Sequence, residues 1–361
     1  MEYKLEIIET IGKIVVFILT LLSFFLFTVK TTNKISNRIF GIYLLLIAFD
    51  LIGFFTNRTI EYPIIHNLKL ASSLLQLPLF YLYVLSACYS NFKIIINHLG
   101  HFLLFLIFFI FLYKTNSSSQ AILAYEIILE IQFLIYILAI FITLKKYKVV
   151  YLENYSNANY AIYKWLFQIT AFTCLAHSFV LLRWYLSNSL FQKYVLNINI
   201  LISFSVLSIT IFFVLKALYQ PKLFTGVNIN LNPVKSLLVN EETKTDVSTE
   251  NTYIQKLTSF MEKEKPYLDF ELTLQKLASQ TDIPEKELSI LINHHLNKHF
   301  FDFINEYRIN DARKLLTDPT KKELTVLEIL YQVGFNSKSS FYTAFKKATN
   351  QTPLEFRKSK S

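Results

Sequence analysis

Lys338, Ser339, Ser340, Tyr342, Thr343 and Lys346 fall within nine residues of one another, and the two phenylalanines among them, Phe341 and Phe345, are four apart. On a helix Phe341 and Phe345 share an inward face, and hydroxyls and ammonium groups cover the rest. Short donors and acceptors with added positive charge suit base edges in a major groove and the phosphates beside them. No Ser–His–acid order, glycine-rich phosphate loop or kinase-like signature accompanies them, so catalysis finds no support. His294, His295 and His299 place two imidazoles on neighbouring turns, but no cysteine or carboxylate completes a metal set, and no metal or other cofactor is expected.

The surrounding elements can position such a surface. Val326, Ile329, Leu330 and Val333 form an inward stripe, and Gly334 suits a left-handed helix end. Asn336 or Ser337 can cap the helix that follows. A similar outline occurs earlier. Leu274, Leu277 and Ala278 make one stripe, "TDIP" interrupts it, and Leu288, Leu291 and Ile292 make the next, with Asp282 as a candidate cap and Pro284 at the helix start. Each outline is a helix-turn-helix. Between them Phe301–Leu316 reads as one helix of about 24 Å, ended by Asp318-Pro319. A rigid rod would hold two second helices at fixed spacing, and helices about 34 Å apart meet successive major grooves.

"LTLQKLA", "FFDFINEYRINDARKLL" and "VLEILYQVGFNSKSSFYTAFKKATNQTPLEFRK" resemble the DNA-binding domain of AraC-type transcriptional regulators over roughly Tyr253–Lys358. The resemblance implies two helix-turn-helix units on one long helix, with double-stranded DNA as partner. It implies base contacts from Lys338, Ser339 and Thr343 in the second unit and from Lys286 and Ser289 in the first. Many members carry arginine at the position of Thr343, and Glu285 and Glu287 beside Lys286 repel phosphates. Residues 330–361 hold six Lys/Arg against one Glu, which favours the second unit for affinity. Ser337, Lys346, Lys347 and Arg357 are the expected backbone contacts. Arg308 has an even chance of packing structurally, because the rod is partly buried.

The other two thirds of the chain have a different character. Of the 361 residues, 53% are hydrophobic and only 17% charged. The formal charge of +10 belongs to residues 1–240, with 18 Lys+Arg against 8 Asp+Glu, while residues 241–361 balance at 18 each. The basic character is therefore not evidence for nucleic acid, and the DNA reading rests on local pattern. Seven runs approach the length that spans a bilayer: Ile11–Val29, Ile39–Thr56, Leu68–Tyr89, His98–Tyr113, Ile122–Leu144, Trp165–Leu186 and Tyr194–Leu215. Cys88 and Cys174 lie inside such runs and read as inert thiols. The acidic first residues and the long first run argue against a cleaved signal.

The expected organisation is all-α: a multi-span membrane region over 1–220, a flexible linker over 221–252, and a double helix-turn-helix domain over 253–361. Lysine and arginine in short loops favour an outside N-terminus, ten against seven, with the densest clusters inside. Seven spans then leave the C-terminal domain in the cytoplasm, and the protein in the cell (inner) membrane. Ionisable residues within spans are costly, so Asp50, Glu126, Glu130 and Arg183 mark either a signal pocket for a small molecule or ionic condition, or structural pairing between helices. Glu126 and Glu130 share a face, and Arg183 can pair with either. A second copy of the chain is a further expected partner. The rival reading is a solute transporter or channel with a regulatory C-terminal domain, but matching halves with broken helices are not evident.

Overall fold

Hydrophobic runs of 16 to 23 residues and stripes of period 3.6 leave little room for anything but helix. The computed structural model describes residues 2–31, 34–55, 63–89, 92–157, 161–220 and 247–360. Among these the one extended pairing is an isolated antiparallel bridge between Tyr155 and Thr273. The chain divides into two compact units. One comprises Met1–Lys145 and Ala161–Asn230, the other Lys146–Tyr160 and Leu231–Ser361.

The first unit contains α1 (Glu2–Thr28), α2 (Lys34–Phe55), α3 (Pro63–Ser72), α4 (Gln76–Cys88), α5 (Leu103–Lys114), α6 (Ser119–Asn154), α7 (Ala161–Ser187) and α8 (Val195–Tyr219). Among the described residues seven helical stretches are long and apolar enough to cross a membrane, and each overlaps one of the seven runs expected. The third combines α3 and α4 across a 3-10 turn at Ser73–Leu75, where Gln132 Nε2 donates to the Leu74 carbonyl at 3.1 Å. The fourth starts as a 3-10 turn at Ile96–Phe102 before becoming α5. The fifth, α6, continues ten residues beyond the expected Leu144 to Asn154, and its last residues belong to the second unit.

Small side chains and aromatics pack this unit. Ser23 Oγ donates to the Gly41 carbonyl at 2.9 Å, and a Cβ at Gly41 would stand 3.2 Å from Ser23 Oγ and from the Phe27 ring, so α1 and α2 approach closely. Phe40 stacks on Tyr83 at 4.4 Å, whose hydroxyl accepts from Trp165 Nε1 at 2.8 Å. Both cysteines are free thiols.

In the second unit, α9 (Val247–Lys263) begins within the stretch 221–252 expected as linker; residues 221–246 of that stretch lie outside the described residues. Then follow α10 (Leu274–Thr281), α11 (Glu285–Ile290), α12 (Phe300–Thr317), α13 (Val326–Gln332), α14 (Lys338–Thr349) and α15 (Pro353–Lys360). The rod, α12, runs 18 residues, about 27 Å, and serves two cores. Phe300, Phe303 and Ile304 enter one with Leu277, Leu288 and Ile292; Ile309, Ala312 and Leu316 enter the other with Ile329, Phe341 and Phe345.

Candidate nucleic-acid interface

Two helix ends are set by chemistry that repeats every three residues. Thr325 Oγ1 accepts from the Glu328 N–H while Glu328 accepts from the Thr325 N–H, closing a capping box on α13. Thr352 and Glu355 do the same before α15, and the T-x-x-E spacing of both is visible in the sequence. Hydrogen bonds from the threonine N–H and hydroxyl hold the Glu328 and Glu355 carboxyls below the usual range. The sign follows: these caps stabilise above the ordinary glutamate value and are lost as pH falls through the lowered one. We expect acid titration to raise amide exchange first at the starts of α13 and α15.

The second turn matches its expectation. Gly334 has φ +87°, and its N–H bonds the Tyr331 carbonyl at 3.1 Å. Ser337 stands at the cap position of α14 in extended backbone, without a side-chain cap bond. Phe341 and Phe345 are fully buried. Lys338, Ser339, Thr343, Lys346 and Lys347 are exposed, so the helix presents the surface the spacing predicts. Lys338 Nζ lies 5.5 Å over the Tyr342 ring, a contact that restrains the ammonium group at the start of the helix.

The remaining phosphate candidates differ in setting. Lys347 bonds Asp302 on the rod at 2.7 Å. The Lys347 side chain is well exposed and Asp302 half-buried, so the pair is of the weak surface kind. Lys346 lies within electrostatic reach of Glu355, and Arg357 is half-buried on α15.

The first unit departs from expectation. Asp282 does not cap α11. It ends α10 in the left-handed region at φ +50°, its N–H bonding the Ala278 carbonyl, and Pro284 takes the cap position. Ser289 is 1% exposed. After Ile290 the helix widens into a π turn at Leu291–His295, and Asn293 Nδ2 donates to the Ser289 carbonyl (3.0 Å) and hydroxyl (3.2 Å). Lys286 is half-buried, while Glu285, His294 and His295 are exposed. Among the described residues no His/Cys/Asp/Glu group could hold a metal.

One side chain joins the parts. Arg308 is 1% exposed, and its five N–H donors all find oxygen. Nε donates to Tyr267 O (2.7 Å), Nη2 to Asp269 O (2.8 Å) and Ser156 Oγ (3.1 Å), and Nη1 to Ser156 O (2.9 Å) and, at 3.5 Å, Asn305 Oδ1. Its guanidinium also lies 5.5 Å from the Phe335 ring in the second turn. Burial pulls its pKa down to about 10, with Asp269 acting the other way, so it stays cationic near neutral pH. The Tyr267 hydroxyl donates to Asp311 at 2.7 Å and ties the same segment to the rod.

The intramembrane candidates fall into two groups, both in the first unit. Asp50 meets Lys69 at 3.9 Å, is hydrogen-bonded by Gln76, and lies within electrostatic reach of Arg183. Glu130 bonds His177 Nε2 at 2.8 Å, with Phe133 stacked on that imidazole. His177 is thus a partner of Glu130, and Glu126, one turn earlier on α6, shares its helix.

Two short helices per turn, each pair on its own core and both threaded on one rod, define a paired helix-turn-helix domain. Residues 277–359 match the helix-turn-helix domain family. The chain is 36% identical over 91 residues to the uncharacterized HTH-type transcriptional regulator YdeC of Bacillus subtilis, covering 25% of this chain and 30% of that one. It is 30% identical over 102 residues to the HTH-type transcriptional regulator GlxA of Rhizobium meliloti, covering 28% and 31%. It is 45% identical over 62 residues to an uncharacterized HTH-type transcriptional regulator in the cgkA 5' region of Pseudoalteromonas carrageenovora, covering 17% and 34%. The chain thus spans about a third of the length of these curated relatives. No solved structure matches.

Proposed function

We propose that the protein is a membrane-anchored transcription regulator of AraC type, whose C-terminal domain binds duplex DNA in a sequence-specific way. The observation that carries this reading is the exposed polar face of α14, with Lys338, Ser339 and Thr343 outward and Phe341 and Phe345 anchoring the helix. The family match and the relatives' names support it. Lys338→Ala should cost about 1–3 kcal/mol on the preferred duplex and relax preference at one position. Lys346→Ala should weaken all duplexes alike and reduce the slope of log affinity against log salt by about 1. Both are measured by titrating the full-length protein in nanodiscs with labelled duplexes. Binding that ignores sequence and salt would end the proposal.

The anchor is the set of seven apolar helices. Large apolar side chains point outward along them, among them Phe24, Leu134 and Leu138, each more than 60% exposed, a surface that lipid covers at no cost and water does not. The N-terminus is placed outside and the reading domain in the cytoplasm; topology reporters fused at Gln220 and before Glu2 check this. The signal enters through the Asp50–Lys69–Arg183 and Glu130–His177 groups. Charge neutralisation at Glu130 and Arg183, singly and together, should shift the promoter response of inserted protein. Pairing of two copies on adjacent sites would raise effective concentration.

A further inference from the structure

Ser156 satisfies two of the five Arg308 N–H groups, yet it lies 152 residues away in sequence. The segment that carries it is built for docking. Tyr155 forms an antiparallel bridge with Thr273. The Ser156 N–H and hydroxyl both donate to the Leu272 carbonyl, at 3.2 and 2.7 Å. Asn157 Nδ2 donates to the Phe270 carbonyl at 3.3 Å, and Tyr151 fixes that amide by donating to its Oδ1 at 2.9 Å. Ser156 itself is 1% exposed.

This segment is the continuation of α6. That helix has 36 residues, about 54 Å at 1.5 Å each, against a hydrocarbon layer of about 30 Å. Lys145, Lys146 and Lys148 mark where a spanning helix would leave lipid, and Tyr155–Asn157 follow within about three turns. A spanning helix that shifts or rotates therefore moves Ser156.

We propose that Tyr155–Asn157 form a coupling latch: the emergent end of α6 docks on the Arg308 socket of the DNA-reading domain and holds that domain in its DNA-competent form. The idea rests on the membrane-anchored regulator reading above. The sign comes from the hydrogen bonds. With the segment docked, every Arg308 donor is paired; without it, two buried charged donors lose their oxygens, and the rest of the network must loosen or admit water. Arg308 also lies against Phe335, in the turn that aims α14, so the loosening reaches the reading helix. A signal that withdraws α6 releases DNA.

Two measurements test this on the full chain in nanodiscs. The first is a disulfide between Tyr155→Cys and Thr273→Cys, in a Cys88→Ser/Cys174→Ser background, with a protease site placed within residues 221–246. Bridge partners have Cα atoms about 4.5–5.5 Å apart, within disulfide range. After oxidation and cleavage, the C-terminal fragment should stay with the N-terminal one until thiol is added. The second is duplex affinity of Ser156→Trp, which cannot enter the socket, beside Ser156→Ala, which keeps the carbonyl acceptor. Ser156→Trp should bind about tenfold more weakly, Ser156→Ala by less, and the crosslinked protein like the unaltered one. No crosslink, or unchanged affinity in Ser156→Trp, overturns the latch while DNA binding by the unaltered protein still stands. Absence of DNA binding by the unaltered protein instead defeats the underlying reading, whatever the crosslink does.

Discussion

Gly334→Ala should unfold the reading domain at a temperature about 15 °C lower, from a loss of about 3 kcal/mol. Two costs add. At φ +87° an L-residue is strained by about 1 kcal/mol or more. An added Cβ would also lie 2.5 Å from the Tyr267 carbonyl oxygen and 2.8 Å from that of Leu268. Both are backbone atoms, so no rotamer change relieves the clash. They belong to the segment that Arg308 holds, so relief requires parting the second turn from the start of the first core. Gly100→Ala is the control, because a Cβ there meets nothing within 4 Å. Calorimetry and duplex binding on both variants decide the matter; equal melting of Gly334→Ala and the unaltered protein would contradict the account.

Arg308→Ala should cost about 3–5 kcal/mol and abolish duplex binding. The loss is large because its partners are mostly backbone carbonyls, at Tyr267, Asp269 and Ser156, which no second substitution can remove. Arg308→Lys should recover little. An ammonium group is a single point with three donors, whereas this socket needs a planar fork reaching oxygens on three sides. Chemical denaturation of the three proteins, with the slope checked for two-state behaviour, gives the difference directly. A lysine variant as stable as the arginine protein would show that charge alone, not the fork, matters there.

The two variants separate what is local in this chain from what is not. Inward stripes such as Val326, Ile329, Leu330 and Val333, the glycine after them, and the Asp318 exit of the rod repeat at the period of the helix itself. They could be read without knowing what they pack against. The same holds for the seven apolar runs, whose length and composition are properties of short windows. Boundaries were less legible: α6 passes Leu144 because Tyr147, Val150 and Tyr151 are buried rather than lost to solvent, and α9 starts at Val247 within a polar stretch.

Ser289 shows the limit for the site. Its type and place on a second helix fit base reading, yet it is 1% exposed, with Asn293 Nδ2 bonded to its carbonyl and hydroxyl, and its burial follows from the packing of the first core rather than from its residue type. Arg308 shows it for the architecture. Sequence left it an even chance of a structural role, and its partners, 39, 41 and 152 residues away, follow no period at all. Helix identity and the outward residues of α14 were written in the chain, because neighbours within a turn or two decide them. The docking of Ser156, the pairing of Glu130 with His177 and the close approach at Gly334 came only with the tertiary structure, because each is settled by which distant backbone the fold brings within about 3 Å.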